Sequence, residues 1–402
     1  MPSRVCPKCQ QIVDSGEPFC PRDGTRLLTR SVYEEISTQT DPLVGQRIAN
    51  RYLVIKKLGE GGMGDVFLGE HEEIEKRLAL KVLKHEYSAR PDVVARFKQE
   101  AVSASRIKHP NVLDVFDFGQ LDDGRFFLAM ELLEGRDLAD ALAADRVLDP
   151  GRGLRIGLQV CRALGAAHSK GVIHRDMKPE NVFLVRTTDG EELVKIVDFG
   201  IAQLRSLGEE DAGVKGARRL TKTGMIFGTP EYMAPEQAAG RKIDHRVDIY
   251  ATGIILFELF AGRVPFYGET FMAVLTAHMT EPAPPIRSVN PNTPISAEFE
   301  RAIMKALEKK PDDRYGSMAD FIEALMATPE ASEELVLPLA RRTQTSSASS
   351  QHVCVDTEPS ATLLDLRANA RTALATEVAE QRDQKPSKNG SMLLLVGIAT
   401  VL

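Results

Sequence analysis

Residues 174–181 read His174-Arg175-Asp176-Met177-Lys178-Pro179-Glu180-Asn181, and seventeen residues after Asn181 comes Asp198-Phe199-Gly200. The run Leu193-Val194-Lys195-Ile196-Val197 just before Asp198 has the composition of a strand, so the second motif sits at a strand end. The first motif packs an aspartate, two cations and an amide into one short turn. Chemistry that moves a phosphoryl group from a nucleotide needs such parts together. A carboxylate accepts the hydroxyl proton, an amide and a second carboxylate hold Mg²⁺, and a lysine steadies the group in transit. Each fragment alone is weak, but HRDxKxxN followed by DFG is specific.

Outward from this pair the chain divides by texture. Residues 1–28 are rich in Cys, Pro and Gly; 29–50 are polar and poorly periodic, as a linker would be. Residues 51–327 sustain apolar periodicity and form the folded body. Residues 328–390 turn to Ser, Thr, Gln, Ala and charge, too little apolar surface to offset ordering entropy, so disorder is expected there, with a short helix within 363–380. Residues 391–402 are an apolar tail. A chain of 402 residues has room for two or three domains. Its net charge of −6 gives no reason to expect a nucleic-acid partner. Five cysteines, three of them crowded at the N-terminus, suggest a metal there and not a secreted disulfide scaffold.

Within the body, short β-branched or aliphatic runs at 52–58, 65–70 and 78–83 predict strands. From 91 to 108 the residues Val93, Val94, Phe97, Ala101 and Ala104 share one helical face. After Pro150 the pattern is helical, at 154–169, 247–260, 271–279 and 296–307. The expected fold class is therefore α+β: a small β-rich lobe, a larger helical lobe, and a cleft between them bridged by 129–135.

Gly59-Glu60-Gly61-Gly62-Met63-Gly64-Asp65-Val66 lies between two predicted strands, and its glycines let backbone N–H groups approach phosphates. A dinucleotide-binding turn has the same letters but requires a helix next, whereas Val66-Phe67-Leu68 continues as a strand. Ala79-Leu80-Lys81 places a lysine in an apolar strand. It either reaches solvent at a strand edge or faces the cleft to meet phosphates, and in the second case it needs a carboxylate partner. Glu100 on the following helix could be that partner, or an ordinary exposed helix glutamate.

Taken in order, these motifs, with Gly228-Thr229-Pro230-Glu231-Tyr232-Met233-Ala234-Pro235-Glu236, Asp248 and Arg314, resemble the eukaryotic-like (Hanks-type) serine/threonine protein kinases and specifically their bacterial branch. The resemblance covers residues 52–326 and implies the two-lobed kinase fold, ATP with Mg²⁺ (or Mn²⁺), and protein substrates with Ser/Thr acceptors. It implies that Asp176 orients and deprotonates the acceptor, Lys178 neutralises the γ-phosphate, Asn181 and Asp198 hold Mg²⁺, and Lys81 paired to Glu100 positions ATP. Gly59, Glu60, Gly61, Gly62, Met63, Gly64, Val66 and Ala79 would surround the nucleotide. Met130 falls at the gatekeeper, Glu131 to Leu133 at the adenine hinge, and Asp137 at the ribose. Glu236 and Arg314 would pair structurally, and Asp248 would steady the catalytic turn. Lys178 and Thr229 match the Ser/Thr pattern, and the long segment 198–236 favours a protein over a small-molecule acceptor. A pseudokinase scaffold, the alternative, would lack a lysine, aspartate or Mg²⁺ ligand, and none is missing. Arg175 can pair with a phosphate, and Thr221 and Thr223 lie where such kinases autophosphorylate, in trans within a homodimer. The insert 205–219 is longer than the family norm and is expected to be mobile.

The two ends carry separate signals. Cys6-Pro7-Lys8-Cys9 and Cys20-Pro21-Arg22-Asp23 look like the knuckles of a zinc ribbon holding structural Zn²⁺, with Asp23 where a fourth cysteine would stand. The other reading is a redox-sensitive or vestigial cluster. Cys161, in an apolar helical pattern, reads as inert core. Met392 to Leu402 is an apolar run behind Lys385 and Lys388. Its eleven residues reach about 17 Å as helix, short of a hydrocarbon core of about 30 Å. It is either the start of a membrane helix, with the lysines on the inner side, or a short apolar tail. With no signal peptide in view, the expected site of action is the cytoplasm, at the inner face of the cytoplasmic membrane.

Overall fold

The computed structural model describes residues 3–14, 17–199 and 230–331. Thr221, Thr223, Gly228, Thr229, the insert 205–219, the helix expected within 363–380 and the apolar tail all lie outside the described residues.

The chain begins with three two-residue strands, β1 (Arg4–Val5), β2 (Ile12–Val13) and β3 (Leu28–Thr29), paired antiparallel in the order β2-β1-β3. With no intervening residue β3 enters helix α1 (Arg30–Ser37), capped by Thr29 Oγ1, which accepts from Val32 N–H at 3.4 Å. Then come β4 (Arg47–Ile48), β5 (Tyr52–Glu60), β6 (Gly64–His71) and β7 (Lys76–Leu83), the helices α2 (His85–Ser88) and α3 (Pro91–Arg106), and β8 (Val115–Gln120) and β9 (Phe126–Met130). These six strands form one antiparallel sheet in the order β4-β5-β6-β7-β9-β8.

Residues 29–50, expected as a linker, fold instead. Tyr52, Leu53, Val54 and Ile55 are all buried, which requires cover on both faces of β5 because side chains alternate along a strand. Leu53, Ile55 and Leu68 pack with Leu28 and Val32, the latter on α1; Tyr52, Val54 and Phe67 pack on the other face with Leu43 and Ile48. The segment between the N-terminal strands and β5 is thus the sheet's covering layer. Its periodicity is weak because its elements are short and held by tertiary contacts.

Past the connector, β10 (Gly135–Asp137), β11 (Val182–Arg186) and β12 (Glu192–Ile196) make a small sheet, and between β10 and β11 lie α4 (Leu138–Asp145) and α5 (Pro150–His168). The helical lobe continues with α6 (Pro235–Ala238), α7 (Arg246–Ala261), α8 (Phe271–Thr280), α9 (Ile286–Val289), α10 (Ala297–Ala306) and α11 (Met318–Met326). Helix α7 is buried on nearly every side, as its predominantly apolar sequence requires. It crosses α5 so closely that a Cβ on Gly153 would sit 2.5 Å from Phe260 and one on Gly157 2.7 Å from Leu256. The lobe extends slightly beyond the expected boundary at 327: Thr328 is buried and Glu330 accepts from Ser296 Oγ at 2.8 Å. Among the described residues, no helix is long and apolar enough to cross a membrane.

Candidate active site

Helix α3 buries Val93, Phe97, Glu100, Ala101 and Ala104, so helical spacing places Glu100 on the stripe that faces the sheet. Register places Val66 opposite Lys81 and Leu68 opposite Ala79, so these four side chains share the sheet face turned to α3 and the cleft. Lys81 Nζ donates to Glu100 Oε1 at 3.0 Å and to Asp198 Oδ1 at 2.7 Å. Burial alone would lower the Lys81 ammonium, but Asp198 and Glu100 hold it well above its ordinary value. Burial pushes the Glu100 carboxyl up, with Asp198 adding to the rise against Lys81. Burial would raise the Asp198 carboxyl, but Lys81 and Glu100 together hold it below the usual range. The side chain of Glu100 is 7% exposed and that of Asp198 36%, so Asp198 is the carboxylate open to the cleft.

The turn 174–181 is pinned from beneath. Asp248, fully buried in the first turn of α7, accepts from His168 Nε2 at 2.7 Å, His174 N–H at 2.9 Å and Arg175 N–H at 2.8 Å. Burial would raise its carboxyl, but His168 and these amides hold it below the ordinary value. His174 Nε2 donates to the Val197 carbonyl at 3.0 Å, which leaves Nδ1 to accept from Asp176 N–H at 3.3 Å. The same ring packs edge-on against Phe199, centroids 4.8 Å apart. Arg175 (φ 67°) and Asp198 (φ 58°) both adopt left-handed backbone, a cost of roughly 1–3 kcal/mol each that these contacts must offset.

Asn181 Nδ2 donates to the Asp176 carbonyl at 2.7 Å, so the amide oxygen is the group left for a cation. Two carboxylates share the single Lys81 ammonium, and the second oxygen of Asp198 and the Asn181 amide oxygen are both hard donors of the kind that could take Mg²⁺. Lys178 Nζ stands 3.7 Å from Asp176 Oδ2. In the glycine-rich turn, Gly61 N–H donates to Gly64 O, and a Cβ on Gly61 would sit 2.8 Å from that oxygen. A Cβ on Gly62 would meet nothing within 4 Å, so packing does not demand a glycine there and the space stays open to a phosphate. A cavity of about 310 Å³ runs beneath this turn past Lys81, Glu100 and Asp198. Met130, Glu131, Leu133 and Asp137 do not line it; they lie on or beside the connector, where Asp137 caps α4 by accepting from Asp140 N–H at 2.8 Å.

A family model described as protein kinase domain matches residues 52–328. The chain is 44% identical over 288 residues to serine/threonine-protein kinase pkn3 of Myxococcus xanthus, covering 72% of this chain and 52% of that one. It is 36% identical to serine/threonine-protein kinase PrkC of Bacillus subtilis, with 69% and 40% covered. The chain belongs to the bacterial Hanks-type protein kinases. The crystal structure of the Mycobacterium tuberculosis PknI kinase domain aligns with a TM-score of 0.53 at 31% identity, over 70% of this chain and 97% of that one. The kinase spans about half the length of these curated relatives, or less.

One residue of this kinase had no role in the sequence reading. Lys195, 8% exposed on β12, donates from Nζ to Glu131 Oε2 at 2.7 Å and so ties the connector to the strand that leads into Asp198. Lys195→Met is expected to raise KM for ATP about fivefold, equivalent to roughly 1 kcal/mol, with kcat little changed and Lys195→Arg largely restoring it. Steady-state kinetics check this, and an unchanged KM would leave Lys195 a packing residue only.

The N-terminal cysteines form a second cluster. Cys6, Cys9, Cys20 and Asp23 present one ligand atom each, all within 4.8 Å of one another. The two knuckles repeat one geometry. Cys6 N–H donates to Gln11 O and Gln10 N–H returns to Cys6 O; Cys20 N–H donates to Thr25 O and Gly24 N–H returns to Cys20 O. Gln10 (φ 60°) and Gly24 (φ 70°) are both left-handed, so Asp23 stands where the first knuckle has Cys9. Cys9 and Cys20 sulfurs are 3.6 Å apart, and Cys6 Sγ is 3.5 Å from Asp23 Oδ2. A tetrahedral Zn²⁺ with bonds of about 2.3 Å to sulfur and about 2.0 Å to oxygen sets edges of about 3.8 and 3.5 Å. The donor set fits that ion. Cys161, in contrast, is fully buried among apolar side chains, and burial pushes its thiol up to about 12.

Proposed function

We propose that this kinase transfers the γ-phosphoryl group of ATP to serine and threonine hydroxyls of proteins. The observation that carries the reading is the joined pairing Lys81–Glu100 and Lys81–Asp198 beside a catalytic turn whose Asn181 is fixed to the Asp176 carbonyl. Phosphoryl transfer needs little beyond positioning and charge stabilisation, and both requirements, the lysine–glutamate pair and the placed aspartate, are met together. Asp176 would take the acceptor proton, Lys178 would sit against the moving phosphoryl group, and Asp198 and Asn181 would hold Mg²⁺. The ion supplies charge neutralisation between the phosphates when bound. The intact set argues against a pseudokinase.

The test is incubation with Mg²⁺-ATP and a generic protein substrate, followed by phosphoamino-acid analysis. Phosphoserine and phosphothreonine are expected; phosphotyrosine alone, or no transfer, would overturn the reading. We also propose that Thr221 and Thr223 become phosphorylated, one copy acting on another, and that their phosphates pair with Arg175. Mass spectrometry of the ATP-treated protein is expected to find both, and an active enzyme with neither would refute the idea. Structural Zn²⁺ on Cys6, Cys9, Cys20 and Asp23, and tethering to the inner face of a membrane through residues 391–402, belong to the same reading. The first is tested below. For the second, deletion of the tail is expected to move the kinase from the membrane fraction to the soluble one.

A further inference from the structure

We propose that the N-terminal metal module belongs to the support of the nucleotide site, so that metal occupancy and nucleotide affinity are thermodynamically coupled. The proposal rests on the zinc reading above. The module is too small to stand by itself: three two-residue strands enclose Val13 and Leu27, and the remainder of that cluster is Cys6, Cys9 and Cys20. A core of that size needs a crosslink, and here the candidate crosslink is the metal. Loss of the metal would loosen the Leu27–Leu28 backbone from which α1 starts.

From α1 the contacts run unbroken to the cleft. Leu28 and Val32 pack with Leu53, Ile55 and Leu68, and Leu132 of the connector packs on the same cluster. Leu68 is paired with Ala79, two positions along β6 and β7 from the Val66–Lys81 pair, so α1 covers the continuation of the face that carries the nucleotide lysine. Beyond α1, Asp41 lies 3.6 Å from Lys57 Nζ, and that ammonium also holds Asp65 at 3.2 Å and Glu60 at 2.5 Å, one on each strand flanking the glycine-rich turn. At the far end of the sheet the module grips the β6–β7 turn through Arg4–Glu75 and through Arg26 to Glu72. Exposed ion pairs such as Arg4–Glu75 contribute little; the apolar seam of α1 carries the coupling.

The test uses the full chain. Zinc content is measured first, and one ion per chain is expected. Nucleotide affinity is then titrated with Mg²⁺-ATP before and after chelation of the zinc. Removal is expected to weaken binding about fivefold or more and to speed amide exchange over residues 52–55. Linkage requires the reciprocal: saturating Mg²⁺-ATP strengthens zinc retention against a chromogenic chelator by the same factor. Val32→Ser keeps all four ligands but breaks the seam. It is expected to retain zinc, bind nucleotide as weakly as the metal-free chain, and lose the reciprocal effect. Stoichiometric zinc with unchanged nucleotide affinity after its removal, or in Val32→Ser should chelation unfold the chain, overturns the coupling and leaves the zinc reading standing. Absence of stoichiometric zinc overturns both.

Discussion

Asp176→Asn is expected to lower kcat by about 10²–10⁴-fold, the range for loss of a positioned general base, with ATP affinity nearly unchanged. The separation follows from how the residue is held. Its carbonyl accepts from Asn181 Nδ2 and its N–H donates to His174 Nδ1, so contacts to its main chain set its place without calling on the carboxylate. Asparagine keeps the shape and loses the charge and the basicity. Lys81→Met would behave differently, because it would leave Glu100 and Asp198 facing each other with no cation between them, and ATP affinity would fall along with kcat. Steady-state kinetics with a peptide acceptor distinguish the two. Full activity in Asp176→Asn would remove it from the role of base.

The largest stability effect is expected at Arg314. Its guanidinium is fully buried and makes five hydrogen bonds. Two go to the Glu236 carboxylate at 2.7 Å each, and the others to the carbonyls of Glu308 at 2.7 Å and of Arg246 and Lys309 at 3.1 Å. It also lies over the Tyr250 ring at 4.8 Å. Arg314→Met strands a buried carboxylate, which costs about 3–5 kcal/mol. For a domain of this size that is a fall in melting temperature of roughly 10 °C. Arg314→Lys should recover little, because one ammonium cannot replace five donors in a fixed plane. Adding Glu236→Leu to Arg314→Met should recover part of the loss by removing the stranded charge, though three carbonyls remain without their donor. Thermal unfolding of the four proteins checks the series; a shift under about 2 °C for Arg314→Met would show that the pair contributes little to stability.

Much of this fold is legible in the sequence because its long elements carry strong periodic signals. The strands expected at 52–58, 65–70 and 78–83 and the helices at 91–108 and 247–260 stand within a few residues of those bounds. Glu100 stays open in the sequence between a partner for Lys81 and an exposed helix glutamate, the resemblance favours the first, and the structure buries it on the stripe shared by Val93 and Phe97. Residues 29–50 read as a linker because their elements are eight residues or fewer and carry little local periodicity. The signal was present elsewhere: four apolar residues in a row at Tyr52–Ile55 cannot face solvent on either side, so something had to cover both faces. Lys195 was illegible for another reason. Its partner Glu131 lies 64 positions away, and nothing in a strand lysine beside Asp198 announces such a distant carboxylate. The sulfur and carboxylate positions were legible as letters, but the equivalence of Asp23 and Cys9 required the repeated backbone turns to be seen.

Cover on both faces of β5 has a consequence for where the folding unit starts. The family match starts at Tyr52, the first residue of that strand. A chain opened at that point would keep every group named in the chemistry, yet it would bare Leu53, Ile55 and Leu68 on one side and Tyr52, Val54 and Phe67 on the other. Adjacent greasy strands exposed on both sides are a standing invitation to self-association. The unit that reacts is therefore smaller than the unit that folds, and the boundary drawn by shared ancestry cuts through the second.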